Sequence, residues 1–320
     1  LKMIVTAAGG DTQTFAAVLG GSADFAIGDA TMVQMSREAG GPGVVVGFFG
    51  TWDAAREALE DDDGNAMVLF QRGSDLHTAY YRAGVGWEAT QELAEGNDGV
   101  LAMSPGGRIA VAYTGIVAGV SRTLVRTAPG QGDTTFGAAQ LADEGATHDV
   151  DAWGTCTLSN QTKNVAVNDA GVVAVVWKVS TATGGDPIVG WTFNRRDAGG
   201  TWGTPVFSSN SPFESWPEKP GIAVDTVGNV ESVYRTFVGA GYLHGYRRYD
   251  VASGGWLTAT NVDPADATYA PRVIVDSSED FMFGLAIYDL VGGDYDTVVR
   301  SRDFGGTAEI GRASCRERVS

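Results

Sequence analysis

From residue 49 onward the apolar residues come in short runs broken by Gly, Asp and Asn, a rhythm that predicts many short strands joined by tight turns. The runs Ala66–Gln71, Ile109–Thr114, Val172–Lys178, Val230–Arg235 and Phe281–Tyr288 each follow an Asp/Asn/Ser-x-x-Gly signal or its remnant. Those signals are Asp61-Asp62-Asp63-Gly64, Ser104-Pro105-Gly106-Gly107, Asn168-Asp169-Ala170-Gly171 and Asp225-Thr226-Val227-Gly228, with Asp276-Ser277-Ser278-Glu279 as a degenerate fifth. Glycine supplies the positive φ such a turn needs, and the leading polar side chain caps it. A third strand then runs to an arginine in each case: Ala79–Arg82, Ser121–Arg126, Val189–Arg196, Leu243–Arg248 and Asp296–Arg302.

The pattern is a repeat. Aligned on a Gly-x-Trp-type element, Trp52, Trp87, Trp202 and Trp256 fall in register, with Phe136 in the same role, at intervals of 35, 49, 66 and 54 residues. The units read as roughly 49–82, 83–126, 133–196, 199–248 and 253–302, each four short antiparallel strands. Burying one Trp between sheets is worth at most roughly 4–6 kcal/mol. A lone meander leaves an apolar face uncovered, so the units must stack. The expected fold is mainly β, an incomplete β-propeller of about five four-stranded blades, with an irregular β-sandwich array as the alternative. The first 48 residues have a different rhythm: strands at Met3–Thr6, Ala23–Ile27 and Val44–Phe48 alternate with helical stretches at Thr12–Leu19 and up to Ala39, a short βαβαβ fragment.

Charge narrows the partners. Basic residues number 22 against 39 acidic, giving a net charge of −17, and a field of that sign repels phosphate backbones, so no nucleic-acid partner is expected. No apolar run approaches the roughly 18 residues of a membrane span. Two cysteines are too few for a disulfide framework. The chain opens at Leu1 with no basic start and apolar stretch, which is read as a native signal peptide not present in this chain, or a missing N-terminus.

Asp197-Ala198-Gly199-Gly200-Thr201-Trp202 resembles the core of the Asp-box (BNR) hairpin of sialidase-like propellers. The resemblance implies that Asp197 ties down the turn's amides and Trp202 packs inside the blade, with Gly199 and Thr201 completing the box. The family's Ser or Thr two positions before the Asp is Arg195 here. The box is structural, so it speaks to fold and not to activity. Arg196-Asp197-Ala198-Gly199-Gly200-Thr201 recurs as Arg302-Asp303-Phe304-Gly305-Gly306-Thr307, where Ala308 stands in place of the next Trp. Residues 309–319 then resemble a translated sequencing adapter, through Ile310-Gly311-Arg312-Ala313, so 309–320 is read as a non-native tail and the repeat as cut mid-hairpin.

Residues 1–48, through Gly20-Gly21-Ser22-Ala23-Asp24-Phe25-Ala26-Ile27-Gly28-Asp29-Ala30-Thr31, resemble a fragment of an ABC-importer solute-binding protein of the nitrate, sulfonate, taurine or thiamine-precursor type. That resemblance implies a ligand cleft lined by Gly9, Gly10 and Thr31. The join to Gly50-Thr51-Trp52 carries no linker, which is read as a chimeric frame.

The chemistry-bearing residues do not assemble into a recognised set. Glu60-Asp61-Asp62-Asp63-Gly64-Asn65 suggests calcium, yet lacks the EF-hand spacing and occupies a hairpin slot. His77, His148 and His244 are far apart, and Cys156 has no basic neighbour to activate it. Tyr246-Arg247-Arg248-Tyr249 imitates a sialidase arginine–tyrosine pair, but Arg248 already holds the repeat's arginine slot. Phe213, Trp216 and Tyr242 flank loops, and Trp153 lies in the insertion 142–162, where aromatics suit sugar stacking. No catalytic residue, metal or cofactor is expected. The reading is an exported, extracytoplasmic, non-enzymatic binding module for a glycan or protein. One alternative is a sialidase-like glycoside hydrolase with an incomplete site, and another is a remnant importer component for a small anion or pyrimidine.

Overall fold

The computed structural model describes residues 55–130, 132–143, 149–150, 154–157, 163–181, 189–209, 220–238, 241–263, 272–275, 281–289 and 294–302. The βαβαβ reading, Gly9, Gly10, Thr31, Trp52, His148, Trp153, Phe213, Trp216 and the adapter-like end lie outside those residues. Every regular element described is a β-strand. Antiparallel pairing gathers the strands into five successive sheets of five, four, six, five and three strands, within 55–95, 97–141, 149–209, 221–263 and 272–302. Strand numbers therefore depart from a uniform four.

Each sheet is built around the same three strands. A short first strand (Ala55–Glu60, Asn97–Met103, Lys163–Val167, Gly221–Val224, Arg272–Val275) pairs with a longer second (Ala66–Arg72, Ile109–Val117, Val173–Thr181, Val230–Val238, Phe281–Asp289). The second pairs with a third: Asp75–Arg82, Val120–Ala128, Val189–Arg196, Gly241–Asp250 and Asp294–Arg302. The first strands of successive sheets pack against one another in chain order.

Apolar runs this continuous arise because the middle sheets bury both faces. In the third sheet, Val173, Val175, Trp177 and Val179 turn toward the second sheet and meet Val100, Ala110 and Ala112. Their neighbours Ala174 and Val176 turn the other way, to Ile222, Val230 and Tyr234 of the fourth sheet. The second sheet repeats this split, with Ile109, Val111 and Tyr113 packed on Met67, Leu69 and Leu76 of the first. The core is thus a series of layers between sheets, and the strand period of two assigns alternate residues to different layers.

Register also fixes where the aromatics belong. Trp87 pairs with Tyr81, Trp202 with Arg196 and Trp256 with Tyr249, so each lies beside the third strand of the sheet before it. The residue after each aromatic, and after Phe136, donates its N–H to the matching third strand: Glu88 to Tyr80, Gly203 to Arg195, Leu257 to Arg248 and Gly137 to Thr127. The sheets accordingly close on these aromatics instead of opening on them. Packing differs among the four. Trp202, Trp256 and Phe136 lie against the layers. Trp87 remains 39% exposed and meets Tyr81 edge-on, so the burial expected of every repeat aromatic does not extend to it. The arginines do not share one register either. Arg196 and Arg302 oppose the first residue of the second strand, whereas Arg248 pairs with Glu231, one place further along.

Candidate functional site

The two ends of the sheets are built differently. At one end, the turn between first and second strands recurs with one geometry. In the fourth sheet, Asp225 N–H donates to the Asn229 carbonyl at 3.1 Å and Gly228 N–H to the Asp225 carbonyl at 3.1 Å. Asp225 Oδ1 accepts from the Gly228 and Asn229 amides, both at 2.7 Å. The same backbone pair recurs at Asp61, Ser104 and Asn168, and at Asp197 in the Asp-box hairpin. At each of these four the leading side chain accepts from the amide four residues on. Glycine at the fourth position has φ of 77°, 85°, 88°, 94° and 99° at Gly64, Gly107, Gly171, Gly200 and Gly228, a conformation that strains other residues. Asp61 therefore holds a turn: its Oδ1 takes the Asp63 and Asn65 amides at 3.0 and 2.8 Å. Among the described residues no group of three His, Cys, Asp or Glu side chains is placed to hold a metal.

These turns are stitched to one another. Asp62 N–H donates to the Pro105 carbonyl at 3.0 Å, Gly106 N–H to Asp169 Oδ1 at 2.8 Å, and Asn168 Nδ2 to the Asp225 carbonyl at 2.7 Å. Arginines add a second set of joints. Arg82 donates to the Gly132 carbonyl at 3.0 Å, Arg108 to that of Asp169 at 2.6 Å and Arg195 to that of Gly228 at 2.9 Å, each reaching the next sheet. Arg195 also lies over the Tyr249 ring, 4.6 Å from its centre.

At the opposite end, where the first strands begin, Lys163 is 2% exposed and spans the second and third sheets. Its Nζ donates to Thr114 Oγ1 at 2.9 Å and to the Asp98 carbonyl at 3.2 Å. The first strand of the second sheet bulges there, and Asp98 takes φ of 53°. Nothing in the sequence reading singled out Lys163. The available signal was its rarity, one of only four lysines, at the head of an apolar run.

Between the second and third sheets, on the turn side, lies a cleft of about 270 Å³. Arg108, Thr127, Pro129, Thr135, Gly137 and Arg196 line it, over an apolar floor that includes Val167 and Val173. Ala128 also lines it. Burial pulls the Arg196 guanidinium below its ordinary pKa, an effect partly offset by the neighbouring Asp197 carboxylate. The repeated Arg-Asp of the Asp-box hairpin was visible in the sequence, but only for its turn role.

The other expected residues resolve as follows. Asp197 Oδ1 accepts the Thr201 amide at 2.8 Å, Gly199 lies beside the Asp197 carboxylate, and Trp202 Nε1 donates to Gln140 of the second sheet at 3.3 Å. Tyr246-Arg247-Arg248-Tyr249 is divided by strand alternation. Tyr246 packs toward the fifth sheet and Arg248 faces Glu231 at 3.7 Å, while Tyr249 packs toward the third. Burial pulls the Arg247 guanidinium below its ordinary pKa, which the nearby Tyr234 partly offsets. The four residues therefore form no single site. His77 stacks on Phe70 with ring centres 5.6 Å apart, and His244 is fully buried. Among the described residues no helix is long and apolar enough to cross a membrane.

No protein-family model matches the chain, and no curated protein sequence matches it. Solved structures do align with it. A protein of unknown function from Dyadobacter fermentans is 12% identical, with a TM-score of 0.46 over 81% of this chain and 80% of that one. An endo-arabinase from Bacteroides thetaiotaomicron is 13% identical, with a TM-score of 0.39 over 75% of this chain and 90% of that one. An α-L-arabinofuranosidase from Fusarium graminearum, solved with an iminosugar inhibitor, is 12% identical, with a TM-score of 0.44 over 82% of this chain and 80% of that one.

Proposed function

We propose that the sheets are blades of an exported β-propeller, and that the protein is a non-enzymatic module that binds carbohydrate. The observation that carries the binding reading is the cleft between the second and third sheets, whose lining combines guanidinium groups, threonine hydroxyls and apolar carbon. A sugar offers the matching surfaces, hydroxyl edges and a C–H face, and a handful of fixed polar groups on an apolar floor is how small-ligand sites achieve orientation. The ionisable groups of the lining are arginines, permanently charged near neutrality. Such a lining can hold a ligand's oxygens but cannot relay a proton, which favours binding over catalysis. The blade arrangement is supported by sheets that bury both faces and by first strands that pack in chain order. Export and the exclusion of nucleic acid are supported by the strong net negative charge and the scarcity of lysine. The test pairs a glycan array with a panel of fluorogenic glycosides. Binding without turnover is expected; turnover of a glycoside would replace this reading with a hydrolase.

A further inference from the structure

Resting on the carbohydrate-binding reading above, we propose that the cleft between the second and third sheets takes a sugar acid whose carboxylate is held by Arg196. Four guanidinium groups lie against glycines of positive φ: Arg82 at Gly132, Arg108 at Gly171, Arg195 at Gly228 and Arg196 at Gly200. In each case an added Cβ would press on the guanidinium, so glycine creates the seat. Three of the four donate to a backbone carbonyl of the neighbouring sheet. Arg196 differs. Its guanidinium makes no hydrogen bond to any described residue, its Nε is buried, and it borders the cleft.

The neighbouring Asp197 carboxylate acts on it through charge but makes no hydrogen bond to it, and its Oδ1 accepts the Thr201 amide at 2.8 Å. Half-buried, with its Nε lacking an acceptor and its desolvation only partly offset by Asp197, this guanidinium would gain its missing hydrogen bonds from an incoming carboxylate. The planar fork of Arg matches a carboxylate with two parallel hydrogen bonds, a geometry Lys lacks. Arg108 on the facing sheet adds a second positive charge, and Thr127 and Thr135 add hydroxyl-bearing side chains to the lining, that of Thr135 being hydrogen-bonded to the Asp133 carboxylate. The volume, about 270 Å³, lies just under the ~300–1,000 Å³ of drug-sized pockets, which suits one or two sugar rings. In a chain of net charge −17, only a short-range contact of this kind draws in an anion, since the long-range field opposes it.

The experiment is isothermal titration of the full chain with digalacturonate, neutral galactobiose and sodium sulfate. Digalacturonate should bind about tenfold or more tightly than galactobiose, the worth of one charge-assisted pair of hydrogen bonds. Arg196→Gln should remove that advantage, and Arg196→Lys should restore only part of it. Gly137→Leu, which fills the cleft without touching the guanidinium, should block binding with an unchanged melting temperature, and it serves if Arg196→Gln does not fold. Equal binding of acid and neutral sugar, indifference to Arg196→Gln, or sulfate binding as tight as the sugar acid would each overturn the proposal. If galactobiose or other neutral glycans bind and digalacturonate does not, the acid is refuted while the carbohydrate reading stands. If no glycan of either kind binds, both fall together.

Discussion

The layer between the second and third sheets and the layer between the fourth and fifth solve one packing problem in two ways. The first is apolar: Val100, Ala110, Ala112 and Val125 meet Val165, Val173, Val175 and Trp177, all buried. The second has a smaller apolar set, Ala223, Val233, Val273 and Phe281, and shares its face with ions. Glu231, fully buried, lies beside Val233's strand neighbours on that face, with Arg248 opposite at 3.7 Å. Hydrophobic contact holds any two complementary faces, whereas a buried ion pair tolerates only the register that joins its partners. The difference teaches that a repeat can keep its strand pairing while exchanging the chemistry of its interfaces.

Breaking the charged layer should have the largest effect. Glu231→Ala is expected to cost about 3–5 kcal/mol in denaturant unfolding, because it leaves the Arg248 charge buried without its facing carboxylate. The double change Glu231→Leu with Arg248→Met should recover most of that loss; equal damage from single and double variants would mean that the two charges are not coupled. In the apolar layer, Trp177→Ala should cost a comparable ~3–5 kcal/mol through cavity formation. The exposed Trp87→Ala should stay within about 0.5 kcal/mol, and a matching loss at both tryptophans would contradict their unequal burial.

The turns give a finer comparison. Asp225→Ala removes a carboxylate oxygen that takes two amides and should cost about 1.5–3 kcal/mol, against about 0.5–1.5 kcal/mol for Ser104→Ala, whose hydroxyl takes one. The smallest effect appears only in alkali. Burial raises the Tyr234 pKa, while Ser208 and Arg247 pull the other way. A raised phenol pKa favours the neutral folded form, so its contribution is complete below the ordinary value of 10.0 and fades as pH climbs through the higher folded one. Tyr234→Phe should flatten the alkaline limb of stability against pH, and an unchanged limb would assign that loss to other groups.

Much of the sheet scaffold was legible in the residues. The second strands start within a residue of the expected places, because glycine and its polar partner mark each turn by a rule that acts over four residues. Sheet membership was less legible. A Trp that follows an arginine can pair backward or open a new unit, and only the hydrogen bond from Glu88 to Tyr80, and its counterparts, decides that it pairs backward. The cleft was not legible at all. Its lining joins Thr127 and Gly137 to Val173 and Arg196, residues far apart in the chain that meet only once two sheets face each other. Arg196 and Arg195 are adjacent and identical in type, yet strand alternation sends one to the cleft and the other to the Gly228 carbonyl.

The stitched turns set limits on how such a chain can change length. Each is a three-residue hairpin loop whose amides and carbonyls are already promised to the turn on the next sheet, as when Gly106 meets Asp169 or Asn168 meets Asp225. One inserted residue would move an acceptor by a few ångströms and unfasten a joint two sheets share. The steps from one sheet to the next at the far end of the strands, such as that from Ser209 to Gly221, are longer, and that step is held at its Pro220 carbonyl by Asn164 at 2.7 Å. Insertions and deletions in the lineage should therefore be tolerated in those long steps between sheets before they are tolerated in the fastened turns.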